Sequence, residues 1–508
     1  MISQKIKASS KQVITRRSAL KFFATLASTT TLNTFPSFAS DETTEEVKIH
    51  KFKLDVQSVN GRPAYNGLTP GPTIAVNPGE VIDVDFTNSL PALHDDCTQN
   101  PNNFHGINTT NLHTHGLHVS PNKDTSGEYD ADNVFVSVVP ENQLVSCSDV
   151  CGESVASTFR RKNTKYRFEL GDDHPSGTYW YHAHKHGSTA QQVGAGLSGP
   201  IIVADKPGVM PEYIEQAEEK ILMFMNQGIV LADPNGGGEV DPVINMRPGE
   251  VQRWRIINAM GNTTQFGFLR TDQPDLEMYQ IAFDGFTLNK RVPIDLDNLN
   301  EPWLNHAALA SGNRMDLIVR APIEPADKPF AQSIFNRFSD ITNGANLAQM
   351  FDLSITVSGD PVESSWSEDD ALPGCGLTPF GGEQLSKRQI NFAGRNFIDN
   401  GVYDGEIKQT MKLGTEEEWH ITNQSAILHV FHIHVNPFFI THINGEELPN
   451  GDPRRRWQDT IGLPTGSGTT QGSVTYKTRF ETFKGKFVIH CHVLRHEDLG
   501  MMQVVEVV

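Results

Sequence analysis

The chain has little cysteine, a shortage of positive charge and no long hydrophobic run. It holds five cysteines in 508 residues, and 42 Lys and Arg against 61 Asp and Glu give a net charge of −19. Such an acidic chain lacks the positive surface that binding to nucleic-acid phosphates requires. No apolar stretch of about 18 or more residues is present, so the sequence predicts no membrane-spanning helix. Nucleic-acid binding and helical membrane functions are therefore disfavoured.

Glycine, proline and histidine are abundant instead. The 42 Gly and 29 Pro, with 37% hydrophobic residues, favour a soluble, turn-rich β protein. At roughly 100–200 residues per domain, the length predicts about three domains. The 19 histidines far outnumber the five cysteines, so the positions of the histidines decide which chemistry the chain can perform.

Residues 1–40 have the composition of an export signal. They contain six Lys or Arg and no acidic residue, with Arg16-Arg17, a mildly apolar stretch from Phe22 and a small-residue segment at 36–40. These three regions describe a signal peptide, and the paired arginines predict that the twin-arginine export machinery carries the folded precursor. Cleavage would lower the net charge from −19 to −25. The mature protein is expected to be periplasmic or secreted, where disulfides can form.

One strand motif occurs three times. In each copy a Gly is followed by alternating apolar and polar residues, and an Asn stands nine residues after the Gly. Alternation of period two predicts a strand with one buried face. The copies are residues 78–88, 248–258 and 413–423. Spacings of 170 and 165 residues are typical of domains and predict three related β-sandwich domains, near 45–205, 206–360 and 361–508.

A second repeat joins only the first and third predicted domains. Segments 177–184 and 485–492 are each an extended aromatic or aliphatic strand that ends in His-x-His. The middle domain has a single His, His306, and no such motif. The chemistry is therefore predicted in the outer two domains.

Four His-x-His pairs indicate a metal centre. Residues i and i+2 of a strand point to the same face, so each pair presents two imidazoles side by side. Imidazole suits Cu, Zn, Fe and Ni. One pair alone is equally typical of a solvated strand face, but eight histidines are too many for one ion and indicate a cluster. The pairs are His113/His115, His182/His184, His432/His434 and His490/His492.

The C-terminal segment adds a cysteine to this set. Cys491 lies between the two histidines of the last pair, so its side chain points to the opposite face of the strand. His496 follows it by five residues and Met501 by ten. One more His completes a blue-copper site of two His and a Cys with a weak axial Met, and His429 is the natural candidate.

These motifs resemble those of the three-domain, laccase-like multicopper oxidases of bacterial type. The resemblance extends from about residue 50 to the C-terminus and includes all four copper motifs in the family's order. The segments that carry it are 112–117, 181–184, 429–434 and 490–501. Val430, where the family often has Pro, departs from the pattern at a position that is not a ligand. The resemblance implies an all-β fold of three cupredoxin-like Greek-key β-sandwich domains.

The resemblance also implies four copper ions as cofactors: one type 1, one type 2 and two type 3. The type 1 copper would be held by His429, Cys491 and His496, with Met501 axial. The type 2 copper would be held by His113 and His432. One type 3 ion would be held by His115, His182 and His492, and the other by His184, His434 and His490. The three-ion cluster is then expected where the first and third domains meet.

The implied activity is one-electron oxidation of a small donor at the type 1 copper, coupled to four-electron reduction of O2 to water. Phenols or aromatic amines are the expected donors, and an axial Met indicates a low or middle potential. The alternative is a metallo-oxidase for Cu(I), Fe(II) or Mn(II) acting in metal tolerance, and the 12 scattered Met disfavour a dedicated Cu(I) enzyme. A non-catalytic envelope protein on the same fold is disfavoured because every copper ligand is retained.

Two carboxylates are predicted to relay protons by general acid chemistry. Glu497 directly follows the predicted ligand His496 and matches a carboxylate proton donor of bacterial relatives. Asp124, eleven residues after His113, matches a second acidic position near the type 2 copper. For each, a solvated surface acid is the alternative.

The remaining histidines and cysteines leave alternatives open. His186 repeats the His-x-His spacing after His184 but matches no ligand of the family pattern, so a structural role is predicted. A substrate or accessory-metal role is open for His94, His105 and His118. The cysteines other than Cys491 are Cys97, Cys147, Cys151 and Cys375. They allow three disulfide pairings, among them a bond between loops 91–108 and 141–163.

Overall fold

The computed structural model describes most of the chain after residue 46. The described residues are 47–93, 100–143, 158–261, 266–268, 276–294, 302–323, 330–331, 334–337, 346–348, 353–363, 366–367, 369, 371–378, 380, 385–466 and 471–508. The predicted signal peptide, His94 and three of the predicted disulfide cysteines (Cys97, Cys147 and Cys151) lie outside them, so the sequence predictions made for those residues stay predictions.

The regular structure is almost all β-strand, which confirms the predicted fold class. The strands of the first unit are β1 Ile49–Val59, β2 Arg62–Tyr65, β3 Ile74–Val76, β4 Val81–Asn88, β5 His113–His115, β6 Val136–Val139, β7 Thr158–Arg161, β8 Asn163–Glu169, β9 Gly177–His182 and β10 Ser198–Val203. Those of the middle unit are β11 Glu218–Met225, β12 Gly228–Ala232, β13 Gly238–Val240, β14 Val243–Met246, β15 Val251–Asn258, β16 Phe266–Phe268, β17 Glu277–Phe283, β18 Phe286–Pro293, β19 Arg314–Arg320, β20 Phe330–Ala331, β21 Ile334–Arg337, β22 Asn346–Ala348 and β23 Ser354–Val357.

The last unit completes the strand order. Its strands are β24 Ser386–Ala393, β25 Phe397–Ile398, β26 Ile407–Met411, β27 Thr415–Asn423, β28 His429–Ile433, β29 Phe438–Ile443, β30 Glu446–Glu447, β31 Trp457–Gln458, β32 Thr460–Leu463, β33 Gly472–Phe480, β34 Gly485–Cys491 and β35 Met502–Val507. The short helices of the described residues are Thr189–Ala195, Glu212–Glu215 and Leu494–Asp498, with a 3-10 turn at Pro302–Leu304. None of these helices is long and apolar enough to cross a membrane.

Each sheet takes its strands from one unit. The first unit has sheets β2-β1-β4-β8 and β3-β10-β9-β5 beside the pair β6-β7. The middle unit has β13-β12-β11-β15-β19-β17-β18 and the smaller sheets β14-β23-β20 and β16-β21-β22. The last unit has β25-β24-β27-β33-β29-β30, with β31 on β29, and β26-β35-β34-β28-β32. The predicted domains 45–205, 206–360 and 361–508 follow the same order along the chain.

The repeated strand motif forms β4, β15 and β27. Each of these strands pairs in parallel with an earlier strand (β1, β11 or β24) and antiparallel with a later one (β8, β19 or β33). The motif glycines Gly79, Gly249 and Gly414 all have positive φ, between 76° and 83°, which glycine adopts without strain. The turn that starts each strand therefore needs this residue.

The Asn that ends each copy has the same local contact in all three units. The Oδ1 atoms of Asn88, Asn258 and Asn423 each accept the backbone N–H two residues later, at 3.0, 3.1 and 2.9 Å. An Asn side chain that bonds its own backbone two residues on makes a turn. The shared Asn thus turns the chain at the end of the strand.

Each unit has its own hydrophobic core, to which the repeated strand contributes a fully buried side chain. Val84, Trp254 and Trp419, each five residues after the motif Gly, belong to the cores of the first, middle and last units. Full burial of such side chains contributes about 1.5–3 kcal/mol apiece. Each copy of the repeat therefore supplies both the turn that starts a strand and a buried side chain of that unit's core.

Candidate metal centre

Two pairs of neighbouring strands, with the residues that directly follow three of them, carry the eight histidines. In the first unit β5 pairs with β9, which places His113 opposite His182. In the last unit β28 pairs with β34, which places His432 opposite His490. The second sequence repeat, β9 and β34, therefore has the same place in both units, beside the strand that holds the other His-x-His pair.

The first and last units bring these strands face to face. The ring of His113 stacks on that of His434 at 3.8 Å between centroids, and His115 stacks on His432 at 3.9 Å. The first histidine of each His-x-His pair thus stacks on the second histidine of the other pair. Two segments related by a two-fold axis would show the same arrangement. All eight imidazoles are buried, so the histidine cluster lies inside the protein.

Three of these histidines converge on one point. The Nε2 atom of His490 lies 3.2 Å from Nε2 of His184 and 3.2 Å from Nε2 of His434. The Nδ1–H of His490 is directed at the carbonyl oxygen of Cys491, 3.2 Å away. A neutral imidazole has one N–H, so the Nε2 atom of His490 offers a lone pair. This trio can hold one metal ion.

The other five histidines each leave one buried nitrogen without a hydrogen-bond partner among the described residues. A buried polar atom without a partner is costly, and a metal ion bound there would satisfy it. The unpartnered atoms are Nε2 of His113, His182, His432 and His492, and Nδ1 of His115. Among the groups whose ligand atoms lie close enough to share one ion are His113, His115 and His182, and His113, His432 and His434. The division into a His115, His182 and His492 set and a His113 and His432 set stays a prediction.

The second nitrogen of each of these five histidines is held by a hydrogen bond. His182 Nδ1 lies 2.9 Å from the carbonyl of Ala183, and His432 Nδ1 lies 2.9 Å from that of Asp459. A hydrogen bond on one ring nitrogen fixes the tautomer and leaves the other free to bind metal. The donor set therefore fits copper, which favours imidazole.

Burial also keeps these imidazoles neutral. It lowers the pKa of His184 to about 3 and that of His432 to about 4, and it lowers the pKa of the other six well below the usual value. Desolvation disfavours the charged imidazolium. At neutral pH every histidine of the cluster is therefore unprotonated and able to bind a metal.

A second ligand set lies on the other face of β34. Cys491 Sγ is 3.6 Å from His429 Nδ1 and 3.7 Å from His496 Nδ1. Burial raises the pKa of the Cys491 thiol to about 12, so a bound cation is needed to hold the thiolate. Met501 is fully buried; its carbonyl accepts the Cys491 N–H, and its N–H donates to the carbonyl of His496. Its backbone is thus tied to two members of the set.

Glu497 reaches the histidine cluster from the same segment. Its Oε1 accepts a hydrogen bond from the Thr189 hydroxyl at 3.1 Å, and its two oxygens lie 3.8 Å from Nδ1 of His184 and of His490. Burial, with the charge of Asp498, raises the pKa of Glu497 well above its usual value. A protonated carboxyl inside the protein can donate a proton, as predicted from the sequence for this residue.

The polar contacts of Asp124, the other predicted proton relay, lie in its own loop and at Arg167. The Asp124 carboxylate accepts the Ser126 hydroxyl at 2.7 Å and backbone N–H groups of its own loop, and it lies 3.7 Å from Arg167. The carboxylate that contacts His113 is Asp132, at 2.9 Å from Nδ1. An eight-residue turn in the chain, closed by these bonds, separates the two acids.

Asp132 was missed by sequence reasoning because no motif marks it. Its carboxylate also accepts the N–H and hydroxyl of Thr114, at 2.8 and 3.0 Å, and lies 3.7 Å from His434 Nδ1. Burial raises the pKa of Asp132 to about 7, against the effect of the Thr114 hydrogen bonds. Its only sequence signal is the unusual density of acids in Asp130-Ala131-Asp132.

The middle unit has no histidine in the cluster but contacts two of its members. Ser311 Oγ donates to the carbonyl of Met260 at 2.7 Å, which leaves it to accept from Nδ1 of His492 at 3.1 Å. A Cβ at Gly312 would lie 3.0 Å from His115 and 3.1 Å from His492. Only glycine lets the backbone approach the imidazoles so closely.

Arg314 of the middle unit binds Asp459, a second buried carboxylate that sequence reasoning did not predict. The guanidinium donates to both Asp459 oxygens, at 2.8 and 2.6 Å. Asp459 Oδ1 lies 3.2 Å from His115 Nε2, and the hydroxyl of Thr460 lies 3.1 Å from the same nitrogen. A buried bidentate pair of this kind is rigid. The middle unit therefore sets the orientation of His115 and His492.

Three described histidines outside the two ligand sets have ordinary hydrogen-bond partners. His186 Nε2 lies 3.0 Å from the side-chain oxygen of Asn102, and His105 Nδ1 lies 2.7 Å from the carbonyl of Asn103. His118 contacts the carbonyl of Val435 and the hydroxyl of Thr482. Cys375 has no disulfide partner among the described cysteines.

Comparison with known proteins gives one consistent result. Two family models, both described as multicopper oxidase, match residues 155–208 and 378–508. The laccase of Bacillus subtilis (strain 168) is 23% identical, covering 87% of this chain and 89% of its own. A multicopper oxidase of Staphylococcus epidermidis is 24% identical, covering 91% and 87%. A solved multicopper oxidase from Campylobacter jejuni, described as a metallo-oxidase, shares the fold with a TM-score of 0.61 at 20% identity, covering 92% and 93%.

The described strands, the buried histidines with their unpartnered nitrogens and the two family-model matches, which include three of the four copper motifs, agree. The matched family works with four copper ions and uses O2 as its electron acceptor. The two matching family models, the relatives and the shared fold together support a laccase-like multicopper oxidase.

Proposed function

We propose that this protein oxidises phenols or aromatic amines one electron at a time and uses four such electrons to reduce O2 to water. The observation that carries the proposal is the strand β34, in which Cys491 belongs to one ligand set and its neighbours His490 and His492 belong to the other. When bound, copper ions supply one-electron redox chemistry at the cysteine set and O2 reduction at the histidine cluster. Four donors, each losing one electron and one proton, balance one O2 and two waters.

We assign the ligands to the ions as the resemblance implies. The type 1 set is His429, Cys491, His496 and Met501. The type 2 set is His113 and His432. The two type 3 sets are His115, His182, His492 and His184, His434, His490. Support comes from the convergence of the last trio and from the unpartnered nitrogens of the other five histidines.

The protons that water formation consumes enter through buried carboxyls in this proposal. Glu497 is held within 3.8 Å of Nδ1 of His184 and of His490, and its raised pKa keeps it a proton donor near neutral pH. Asp132, whose carboxylate lies 2.9 Å from His113 Nδ1, is proposed as a second buried carboxyl of this relay. A relay role of Asp124 stays a prediction, which a variant at that position tests.

The same proposal includes the domain organisation and the location. The bounds 45–205, 206–360 and 361–508 mark three cupredoxin-like domains, of which the outer two hold copper. The mature chain is proposed to be periplasmic or secreted after twin-arginine export directed by residues 1–40. Fusion of residues 1–40 to a reporter, with Arg16-Arg17 changed to Lys-Lys as the control, tests export.

Oxygen uptake by copper-loaded protein tests the activity. We expect 2,6-dimethoxyphenol to drive O2 consumption in a 4:1 ratio of donor to O2, with an intense blue absorption band from the Cys491 site. Absence of the band in fully loaded protein would refute the type 1 assignment. Absence of phenol oxidation with the band present would refute the donor proposal.

The second candidate is a metallo-oxidase. A solved relative of the same fold is described as one. Fe(II) and Cu(I) therefore belong in the donor panel, compared at equal concentration with the phenol. A kcat/KM for either metal ion above that for the phenol, or phenol oxidation that appears only after copper is added in excess, would favour this candidate.

A further inference from the structure

The electron donor approaches the type 1 set at His496. Of the two imidazoles that contact Cys491, His429 is fully buried, whereas His496 keeps 6% of its surface exposed. An outer donor can transfer an electron efficiently only where a ligand edge comes close to solvent. The surface around His496 is therefore the donor site of the proposed oxidase.

Two arginines border this surface. Arg495 precedes His496 in the helix Leu494–Asp498 and is exposed. Arg395 is also exposed and follows Gly394, whose backbone hydrogen-bonds His429. The rings of His429 and His496 lie 5.2 Å apart between centroids, so the segments that carry the two arginines border the same ligand set.

Neither arginine is neutralised by a neighbour. Among the described residues no carboxylate forms an ion pair with Arg395 or Arg495, although the chain carries a net charge of −19. The nearby acids Glu497 and Asp498 are fully buried and face the histidine cluster and the backbone at Thr189. The donor site is thus a positive patch on an acidic protein, which concentrates anions.

An exposed aromatic ring lies beside the Arg495 guanidinium, and another follows Arg395 closely in the chain. Arg495 lies over the ring of Phe104, 5.7 Å from its centroid, and Phe104 is 38% exposed. Phe397, two residues after Arg395, is 40% exposed. Such rings offer a stacking surface to an aromatic donor, and arginine binds carboxylate in a forked geometry.

We infer that the donor site selects aromatic donors that carry a negative charge, such as hydroxybenzoates, and disfavours cationic donors. The residues Arg395 and Arg495 would bind the carboxylate while Phe104 and Phe397 contact the ring, and this inference rests on the proposed oxidase function. Each donor loses one electron and its phenolic proton to become a phenoxyl radical, and its carboxylate is unchanged. Four donors reduce one O2, the acceptor of the family, to two waters.

Salt dependence of the wild-type enzyme tests this without any substitution. The probes are syringate, an anionic phenol, and 2,6-dimethoxyphenol, its neutral counterpart. Between low and high NaCl we expect kcat/KM for syringate to fall by about threefold to tenfold, because salt screens the attraction, and kcat/KM for the neutral phenol to stay within about twofold. Equal salt dependence of the two probes would overturn the inference.

Substitution then locates the effect. The double variant Arg395→Gln/Arg495→Gln is expected to lose about tenfold in kcat/KM for syringate and clearly less, under about threefold, for the neutral phenol, so that the ratio of the two values falls. The blue band and the copper content should stay unchanged. Arg395→Lys/Arg495→Lys should recover most of the syringate activity, since the charge is kept. The exposed Arg62→Gln variant, in the first unit, is the matched control and should leave both probes unchanged.

The remaining outcomes separate the two proposals. If fully loaded wild type does not oxidise 2,6-dimethoxyphenol, the oxidase function fails. If it oxidises that phenol but the arginine variants lose both probes equally, only the charge selection fails. Fe(II) serves as the cationic probe, and its kcat/KM should rise in the double Gln variant; a fall would contradict the inference.

Discussion

At the scale of single residues, the chemistry depends on groups kept in an unusual protonation state by burial. The cluster histidines are neutral because they are desolvated, and Glu497 is protonated for the same reason. The geometry of Glu497, fixed by the Thr189 hydroxyl, places a proton next to two histidines of one metal site. Burial thus prepares both the metal ligands and the acid.

Changing Glu497 to Gln should slow O2 reduction because the amide keeps the contact with Thr189 but cannot give up a proton. We expect kcat to fall about 10²–10⁴-fold, with copper content and the blue band unchanged. The exposed Glu446→Gln is the matched control. Full activity of the Glu497 variant at full copper loading would rule out the relay role.

A pair of variants distinguishes Asp132 from Asp124. Asp132→Asn is expected to reduce kcat strongly and to perturb the signal of the type 2 site in electron paramagnetic resonance, because Asp132 contacts His113 directly. Asp124→Asn is expected to change kcat by less than about threefold, since its partners lie in its own loop and at Arg167. A larger loss of kcat in Asp124→Asn than in Asp132→Asn would support the relay role predicted for Asp124 and contradict that of Asp132.

At the scale of elements, the segment from Ser311 to Arg314 links the middle unit to the copper ligands. It ends at the start of β19 and contacts His115 and His492, which the proposal assigns to the same type 3 ion. Partners of this kind orient metal ligands and tune their affinity. The unit without copper ligands is therefore expected to influence one ion of the type 3 pair more than the other.

Removing the Ser311 hydroxyl should expose this asymmetry. Ser311→Ala takes away the acceptor for His492 Nδ1, and we expect copper affinity at that ion to fall about 10- to 100-fold. Loss of one ion from a coupled pair makes its partner visible in electron paramagnetic resonance, which gives a readout independent of activity. Ser58→Ala, on an exposed part of β1, is the control. An unchanged spectrum and four bound copper ions would contradict this role.

At the scale of the whole molecule, the histidine cluster takes its members from two units that do not share a sheet. The buried histidines come from both outer units, so protonating them or leaving them without metal affects how those units meet. Their folded pKa values are depressed below about 6.5, the value expected in the unfolded chain. The contribution of these histidines to the free energy of unfolding is therefore fully present above about pH 6.5 and decreases as the pH falls below that value.

The copper-free protein should accordingly become less stable on acidification. Between pH 7.5 and 5 we expect Tm to fall by about 5 °C or more, as histidines of the unfolded chain take up protons that the folded chain excludes. The raised pKa of Asp132, Asp284 and Asp498, each about 7, and of Glu497 acts in the opposite direction, but the ten predicted histidine ligands outnumber these four acids. Calorimetry at each pH, with return to pH 7.5 to check reversibility, measures this; a constant or rising Tm would show that the acids dominate.

Local residue patterns were enough to predict the repeated strands and the orientation of the paired histidines. Period-two alternation and a positive-φ glycine specify strands β4, β15 and β27, and the His-x-His spacing puts both imidazoles on one face of a strand. The position of Cys491 between two histidines likewise forces it to the opposite face. These features depend on residues close together in the chain, so the strands and the paired histidines could be predicted before any contact was known, whereas the grouping of the ligands rested on the family resemblance.

The tertiary structure alone decided which distant residues complete the site. Asp459 lies 344 positions from His115, and Ser311 lies 181 positions from His492; no local spacing relates them. Asp124 lies eleven residues after His113, but it hydrogen-bonds Ser126 in its own turn. The carboxylate that contacts His113 is that of Asp132. Arg395 likewise joins Arg495 at His496 only because a turn after β24 packs against His429. Contacts between chain segments that are far apart in sequence are set by how whole sheets pack, and a local pattern carries no information about that packing.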